Sequence, residues 1–292
     1  MIRKRSIGDI IFETINTLIL LALMIACLYP MLYVLFASVS SPSKLMVHSG
    51  LLLYPLDFQV EAFKSVLANP DVKTGYLNTI VYVVFGTVLN IVLTLTAAYV
   101  LSRKKFKFKT TFNFIVVLTM FISGGLIPGY LLVKQLGLLD NRLVMILPNA
   151  LSAYNILLTR TYIQTIPESL EESAKIDGAR HLTILWKIVI PLCAPIIAVI
   201  TLYYAVGHWN SWFNAMIYLT ERSKYPIQLI LREILILNET SDMVQSFQMD
   251  KLPIADNIKY ATIVVATVPV LCIYPFVQKY FVKGVMLGAV KE

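Results

Sequence analysis

The chain has 292 residues, 58% of them apolar and 14% charged, with a formal net charge of +8 and a mean hydropathy of +0.73. Soluble domains carry about 25% charged residues, so this composition excludes a soluble globular protein and places the chain in a bilayer. A nucleic-acid partner does not account for the positive charge, because the densest basic run, Arg103-Lys104-Lys105-Phe106-Lys107-Phe108-Lys109, abuts an apolar run where lipid phosphates are the nearest anions.

Apolar runs long enough to cross about 30 Å of hydrocarbon, which takes about 20 residues, fall at 13–39, 76–101, 112–133, 143–160, 188–219 and 260–281. They predict an all-α polytopic membrane protein with six transmembrane helices; the runs are too long for barrel strands of about ten residues. Arg3, Lys4 and Arg5 precede the first run, which is longer than the roughly 7–15-residue core of a signal peptide and reads as a retained span. With that basic start held inside, alternation places the Arg103 to Lys109 loop and the loop after Arg160 inside as well, and both termini are cytoplasmic. The expected organisation is a cytoplasmic N-terminus over 1–12, one transmembrane domain over 13–282 with an inner loop at 161–187, and a cytoplasmic tail over 283–292.

In chain order, the second run carries Thr87, Asn90 and Thr94 at helical spacing. The third carries Gly124-Gly125 and Pro128-Gly129, a density that predicts a broken helix, followed by a short outer turn at Leu136 to Asn141. The fourth repeats the polar stripe with Asn149, Ser152 and Asn155. Such stripes serve either interhelical hydrogen bonding or a pathway offering amides and hydroxyls to a polar solute.

The inner loop reads as a charged helix of about ten residues. Thr165 and Glu168 have capping-box spacing, Pro167 falls in the first turn, and Gly178 suits a left-handed stop. Glu171 and Glu172 lie towards its start and Lys175 towards its end, as the helix dipole favours. So short a helix is marginal in water and requires a protein surface; a solvated amphipathic helix on the membrane face is the plainer alternative. In the fifth run, Pro191 and Pro195 predict a kink. Its end, Trp209-Asn210-Ser211-Trp212-Phe213-Asn214, pairs two indoles and two amides at helical spacing, which suits a sugar's apolar faces and hydroxyls as well as it suits an interfacial aromatic belt. Outer segments at 40–75 and 221–258, including Tyr225, Pro226, Gln228 and Leu231, are candidate docking loops.

Away from their ends the runs contain no Asp, Glu, Lys or Arg, whereas ion-coupled carriers place such groups in the membrane. The sequence has no G-x-x-x-x-G-K-[ST] phosphate loop and no H-E-x-x-H or G-x-S-x-G motif. Energy is therefore expected from another polypeptide, and the chain is expected not to be an enzyme. Cys27, Cys193 and Cys272 fall within runs and are expected to be buried apolar residues. His48, His181 and His208 are scattered and predict no metal or catalytic site.

Glu172-Ser173-Ala174, Gly178, Ile188 and Pro191 together resemble the EAA motif of ABC importer permeases, with Ser173 in place of the usual Ala and Ile190 in place of Leu. GGLIPGYLLVKQLGLLDN, ILPNALSAYNILLTRTYIQTIPESLEESAKIDGA and the closing VKGVMLGAVKE extend the likeness to nearly the whole chain. It is similar to the smaller, six-span permease of maltose-type oligosaccharide importers, in the branch serving complex polysaccharide fragments. The resemblance implies the ABC importer permease fold and an ATPase-coupling role for Glu171, Glu172, Ser173, Ala174, Asp177 and Gly178. It also implies a second, different permease, two ATPase subunits holding ATP and Mg, an extracytoplasmic binding protein, and import by alternating access in the cell membrane. Substrate-pathway candidates are Asn90, Asn149, Ser152, Asn155, Trp209, Asn210, Trp212 and Asn214. The basic total is compatible with an acidic oligosaccharide such as a uronate. The alternatives are an ABC permease for a non-sugar nutrient and an ion-coupled secondary carrier.

Overall fold

The computed structural model describes residues 7–244 and 257–273, and within them every regular element is helical. The first six residues, residues 245–256 of the outer segment, the end of the sixth run and the tail at 283–292 lie outside the described residues. The chain divides into two compact units, one of 1–69 with 231–268 and one of 70–230 with 269–292.

In the first unit, α1 (Ile7–Ser38) is a 32-residue helix whose most apolar stretch is wholly exposed. An apolar helix exposed on all sides is matched to a lipid solvent or to another apolar helix, not to water. Short helices α2 (Pro42–Val47) and α3 (Glu61–Ala68) follow. The connection between them is pinned to the end of α1: Leu52 N donates to the Tyr29 hydroxyl at 3.1 Å, and Leu56 N to Ser40 Oγ at 3.0 Å.

The second unit is organised by α4 (Pro70–Ser102), a helix of 33 residues. Its buried stripe, Gly75, Thr79, Gly86, Asn90, Thr94, Ala98 and Ser102, recurs every four residues apart from a seven-residue step after Thr79, and is made of small or short polar side chains. Small residues let helix backbones approach closely, and their hydroxyls and amides bond across the interface.

The third apolar run is not one straight helix. Helices α5 (Lys109–Phe121) and α6 (Leu126–Gln135) are bent by 114° at the expected glycine break, with Gly125 at φ +85°. The fourth run is also corrected: a 3₁₀ turn at Arg142–Met145 precedes an irregular stretch, and α7 (Ala153–Ile163) has only 11 residues. At about 1.5 Å per residue α7 cannot cross the hydrocarbon alone. Pro148 disfavours helix before itself, and Ser152 caps α7 by accepting from Asn155 N at 3.4 Å.

After the charged helix α8 (Glu168–Ile176), the chain runs through α9 (His181–Ile184), a π turn at Leu185–Val189 and α10 (Ile190–Leu192). It then bends by 84° into α11 (Ala194–Trp209). The predicted kink is present: Pro191 has no N–H for the Lys187 carbonyl, and Pro195 falls in the first turn of α11. Helices α12 (Phe213–Tyr218), α13 (Ile227–Val244) and α14 (Asn257–Ile273) follow. Thus, among the described residues of the outer segment expected as a loop from 221, Ile227–Val244 is helix α13. Two described helices, α1 and α4, are long and apolar enough to span a membrane, or up to four spans if each bent pair counts as one.

Candidate functional site

The charged helix begins without the expected capping box. Its N-cap residue is Pro167, which has no side-chain oxygen, and Thr165 Oγ1 instead donates back to the Tyr162 carbonyl at 2.8 Å. Its end is as expected. Gly178 has φ +78°, Gly178 N donates to Lys175 O at 3.0 Å and Ala179 N to Ala174 O at 2.9 Å, the paired bonds of a Schellman stop.

The two adjacent glutamates of α8, about 100° apart around the helix, differ in burial. Glu171 is buried and its Oε1 accepts from Arg103 Nη1, with Lys175 Nζ 3.8 Å from Oε2. Glu172, Ser173, Ile176, Asp177 and Gly178 are exposed, whereas Ala174 is half-buried against the core. Lys104 pairs with Glu168 at 2.9 Å, and this partner holds the exposed Glu168 carboxyl below its ordinary value. The basic run after α4 therefore binds the acidic helix, and Arg103 and Lys104 are site residues missing from the sequence-based candidates.

Farther along α4, a polar network crosses to α11 and to the segment before α7. Asn90 Nδ2 donates to the Asn149 carbonyl at 2.6 Å. A carbonyl only accepts, so the amide's Oδ1 must face His208 Nε2, 2.7 Å away, and that nitrogen carries the proton. Thr94 and Tyr204 share a hydroxyl bond of 2.7 Å, and Ser152 N donates to the Tyr204 hydroxyl at 3.3 Å. Thr87 Oγ1 is buried with no hydrogen-bond partner among the described residues. Beside the network lies a cleft of about 410 Å³, within the ~300–1,000 Å³ of small-molecule sites, lined by Asn149, Ser152, Asn155, Tyr154, Tyr203, Tyr204, Gly207 and His208 among others. A second groove of about 220 Å³ is lined by aliphatic groups, Trp186 and Thr96, and the Thr96 hydroxyl is already donated to the Val92 carbonyl. It has little with which to orient a polar ligand.

At the other end of α4, Asn78 Nδ2 donates to the carbonyls of Ser223 and Tyr225 at 2.8 and 3.0 Å, Tyr82 to Lys224 O at 2.8 Å, and Ile227 N to Thr79 Oγ1 at 2.8 Å. Pro226 and Leu231 are buried and Tyr225 and Gln228 half-buried, so this stretch is packed structure. Asp140, at φ +53°, accepts from Thr220 N and Glu221 N at 3.0 Å each and pairs with Lys224 at 2.9 Å. The Glu221 amide, Lys224 and the Thr220 amide hold its carboxyl well below the usual carboxylate range.

Residues 3–287 match the family described as binding-protein-dependent transport system inner membrane component. The chain belongs to that family. This permease is 37% identical to Protein LplC of Bacillus subtilis (strain 168) over 281 residues, 96% of this chain and 95% of that protein. It is 41% identical to the polygalacturonan/rhamnogalacturonan transport system permease protein YtcP of the same organism, over 93% of this chain and 95% of that protein. Among solved structures, a chain of a bacterial ABC transporter involved in the import of the acidic polysaccharide alginate superposes with a TM-score of 0.85 at 36% identity, covering 95% of this chain and 99% of that one. The fold is that of an ABC importer permease, and the chain is a transport subunit, not an enzyme.

The permease assembles only part of the candidate set. Asn149, Ser152 and Asn155 line the cleft, and Asn90 is fully buried behind it. Trp209 is buried against Tyr76, with ring centroids 6.1 Å apart, and Trp212 packs edge-on to Phe213 at 5.5 Å. The indoles do not share a helix face, nor do Asn210 and Asn214, because α11 stops at Trp209 and α12 begins at Phe213. Contrary to the expectation of scattered histidines, His208 lines the cleft; Gly86, one turn before Asn90, leaves the space that its ring fills. Of the cysteines, Cys193 is buried while Cys27 and Cys272 are exposed on apolar helices, contrary to the expectation for all three.

Proposed function

We propose that this permease forms half of the translocation pathway of an ATP-driven importer of acidic oligosaccharides, working by alternating access. The observation that carries the pathway is the cleft: amides, hydroxyls and three tyrosine rings converge there, with no Asp, Glu, Lys or Arg among its lining residues. Tyrosine faces suit the C–H faces of sugar rings and the amides suit their hydroxyls. The substrate class is supported by the names of two relatives, one concerned with polygalacturonan and rhamnogalacturonan and the other with alginate, polymers that carry uronic acids.

In this reading the chain crosses the cell membrane six times with both termini cytoplasmic. Bent pairs α5–α6 and α9–α11 make two crossings, the Arg142–Met145 turn with α7 makes the fourth, and the transmembrane domain covers 13–282. Helix α8, in the cytoplasmic loop 161–187, offers Glu172, Ser173, Asp177 and Gly178 to the ATPase; its exposed Ile176 adds an apolar contact. A second permease, two ATPase subunits carrying ATP and Mg, and an extracytoplasmic binding protein complete the machine. The test is uptake by the reconstituted complex of a uronate oligomer and of its neutral analogue. Preferential uptake of the uronate is expected, equal rates would remove the acidic assignment, and entry of a non-sugar nutrient alone would remove the sugar.

A further inference from the structure

The exposed Glu172 and the buried Glu171 point about 100° apart on one short helix, and the partner of Glu171 is clamped to α4. Arg103 follows directly on the last residue of α4. Its guanidinium lies 4.4 Å from the centroid of the Tyr99 ring, its Nε donates to Tyr99 O at 3.3 Å and to Ser102 Oγ at 3.0 Å, and its Nη2 donates to Ser102 Oγ at 2.8 Å. With one more nitrogen on Glu171, the fork is held from two sides; the side chains of Arg103 and Glu171 are only 21% and 8% exposed. The planar guanidinium is suited to such fixed, multiply bonded positions. Tyr99 also places its hydroxyl 3.5 Å from His181 Nδ1, so the residue that starts α9 meets the same clamp.

Helix α4 then continues unbroken past the Thr94–Tyr204, Asn90–Asn149 and Asn90–His208 bonds beside the cleft, and on to the Tyr82, Thr79 and Asn78 bonds that hold residues 223–227. By contrast, the other route from α8 towards the cleft, through α9 to α11, passes a π turn and an 84° bend. An unbroken hydrogen-bonded helix carries displacement along its axis better than one interrupted by a bend and missing donors.

We propose that Arg103 is a positioning residue whose pairing with Glu171 links α8 to α4 as a strut, so that displacement of α8 moves the cleft and the outer segment through α4. Glu172 faces the ATPase; Glu171 acts inward. This removes Glu171 from the ATPase-contacting set, and it rests on the reading that α8 docks on the ATPase.

The experiment is a double-mutant cycle in the reconstituted four-subunit-type complex with Arg103→Gln, Glu171→Gln and both together. Co-purification of the ATPase, basal ATPase activity, stimulation by loaded binding protein, and uptake are measured. The expected result is unchanged co-purification and basal activity with about a tenfold loss of stimulation and of uptake in each single variant, in the usual range of a coupling free energy. The double variant is expected to be no worse than either single, because both act on one link. Unchanged stimulation in the near-isosteric Glu171→Gln overturns the strut even if Arg103→Gln fails to assemble, and so do losses that add in the double variant. A parallel Glu172→Ala with Gly178→Pro variant tests docking separately: loss of ATPase co-purification supports the docking reading, and its retention with full stimulation removes that reading whatever the cycle shows.

Discussion

Gly86 and His208 occupy one shared volume. A β-carbon at residue 86 would lie 2.4 Å from His208 Nε2 and 2.6 Å from Cε1. The glycine therefore admits the imidazole that Asn90 holds at the cleft. Gly86→Ala is expected to cost about 1–3 kcal/mol by overpacking and to lower the thermal midpoint of the complex. Adding His208→Ala should recover assembly while leaving uptake low, a pattern read by thermal unfolding alongside transport.

Asn90 is fully buried and uses both ends of its amide. Asn90→Leu keeps the bulk and strands the Asn149 carbonyl and His208 Nε2. Each buried group left unpaired costs about 1–3 kcal/mol, so the variant should lose more stability than Thr96→Val, whose exposed hydroxyl bonds only within its own helix. Denaturant or thermal titration of the two variants in one detergent makes the comparison.

Nothing lies within 4 Å of a β-carbon built on Gly178, so within this chain its φ of +78° is the reason for glycine there. A left-handed residue with a side chain costs roughly 1–2 kcal/mol, and Asn tolerates the conformation better than Ala. Gly178→Asn is thus expected to couple ATPase to uptake nearly as well as glycine, with Gly178→Ala weaker. Equal coupling in the two variants would show that α8 does not need its left-handed stop.

The Asp140 carboxyl is depressed in the folded chain, so its contribution is fully present above the ordinary carboxylate value of 3.8 and is lost progressively as pH falls from there through the lower folded value. Protection of the Thr220 and Glu221 amides against hydrogen exchange should stay level from neutral pH to just above the usual carboxylate range and decline as pH falls below it. Asp140→Asn keeps one acceptor but not the charge that Lys224 meets, and protection is expected to fall at every pH in that range.

Local chemistry in the sequence revealed the breaks of this fold better than its spans. Glycine at 124 and 125, proline at 191 and 195, and Gly178 each mark a real interruption, because backbone freedom or a missing donor acts within one turn. The fourth apolar run misled because hydropathy sums side chains and is blind to where Pro148 and the Ser152 cap take the backbone out of helix. The Thr165–Glu168 spacing had the right residues, yet Thr165 bonds back into α7, a choice set by the turn preceding Pro167. Arg103–Glu171 and Asn90–His208 join residues 68 and 118 apart in the chain, and no periodicity within one segment specifies such a partner. Opposite charge in two loops predicted for the same membrane face was the available clue to the first.

Because α4 is one continuous helix, the bonds along it are locked in phase as well as in chemistry. Every residue turns the helix by about 100° and advances it about 1.5 Å, so one residue inserted between Asn90 and Tyr99 would swing the Arg103 clamp about a quarter-turn away from Glu171 while His208 stayed with Asn90. Substitutions along this stretch are individually reparable; a change in its length is not. The spacing between these two sites is itself a functional element, and relatives that share both are expected to show no gaps between them.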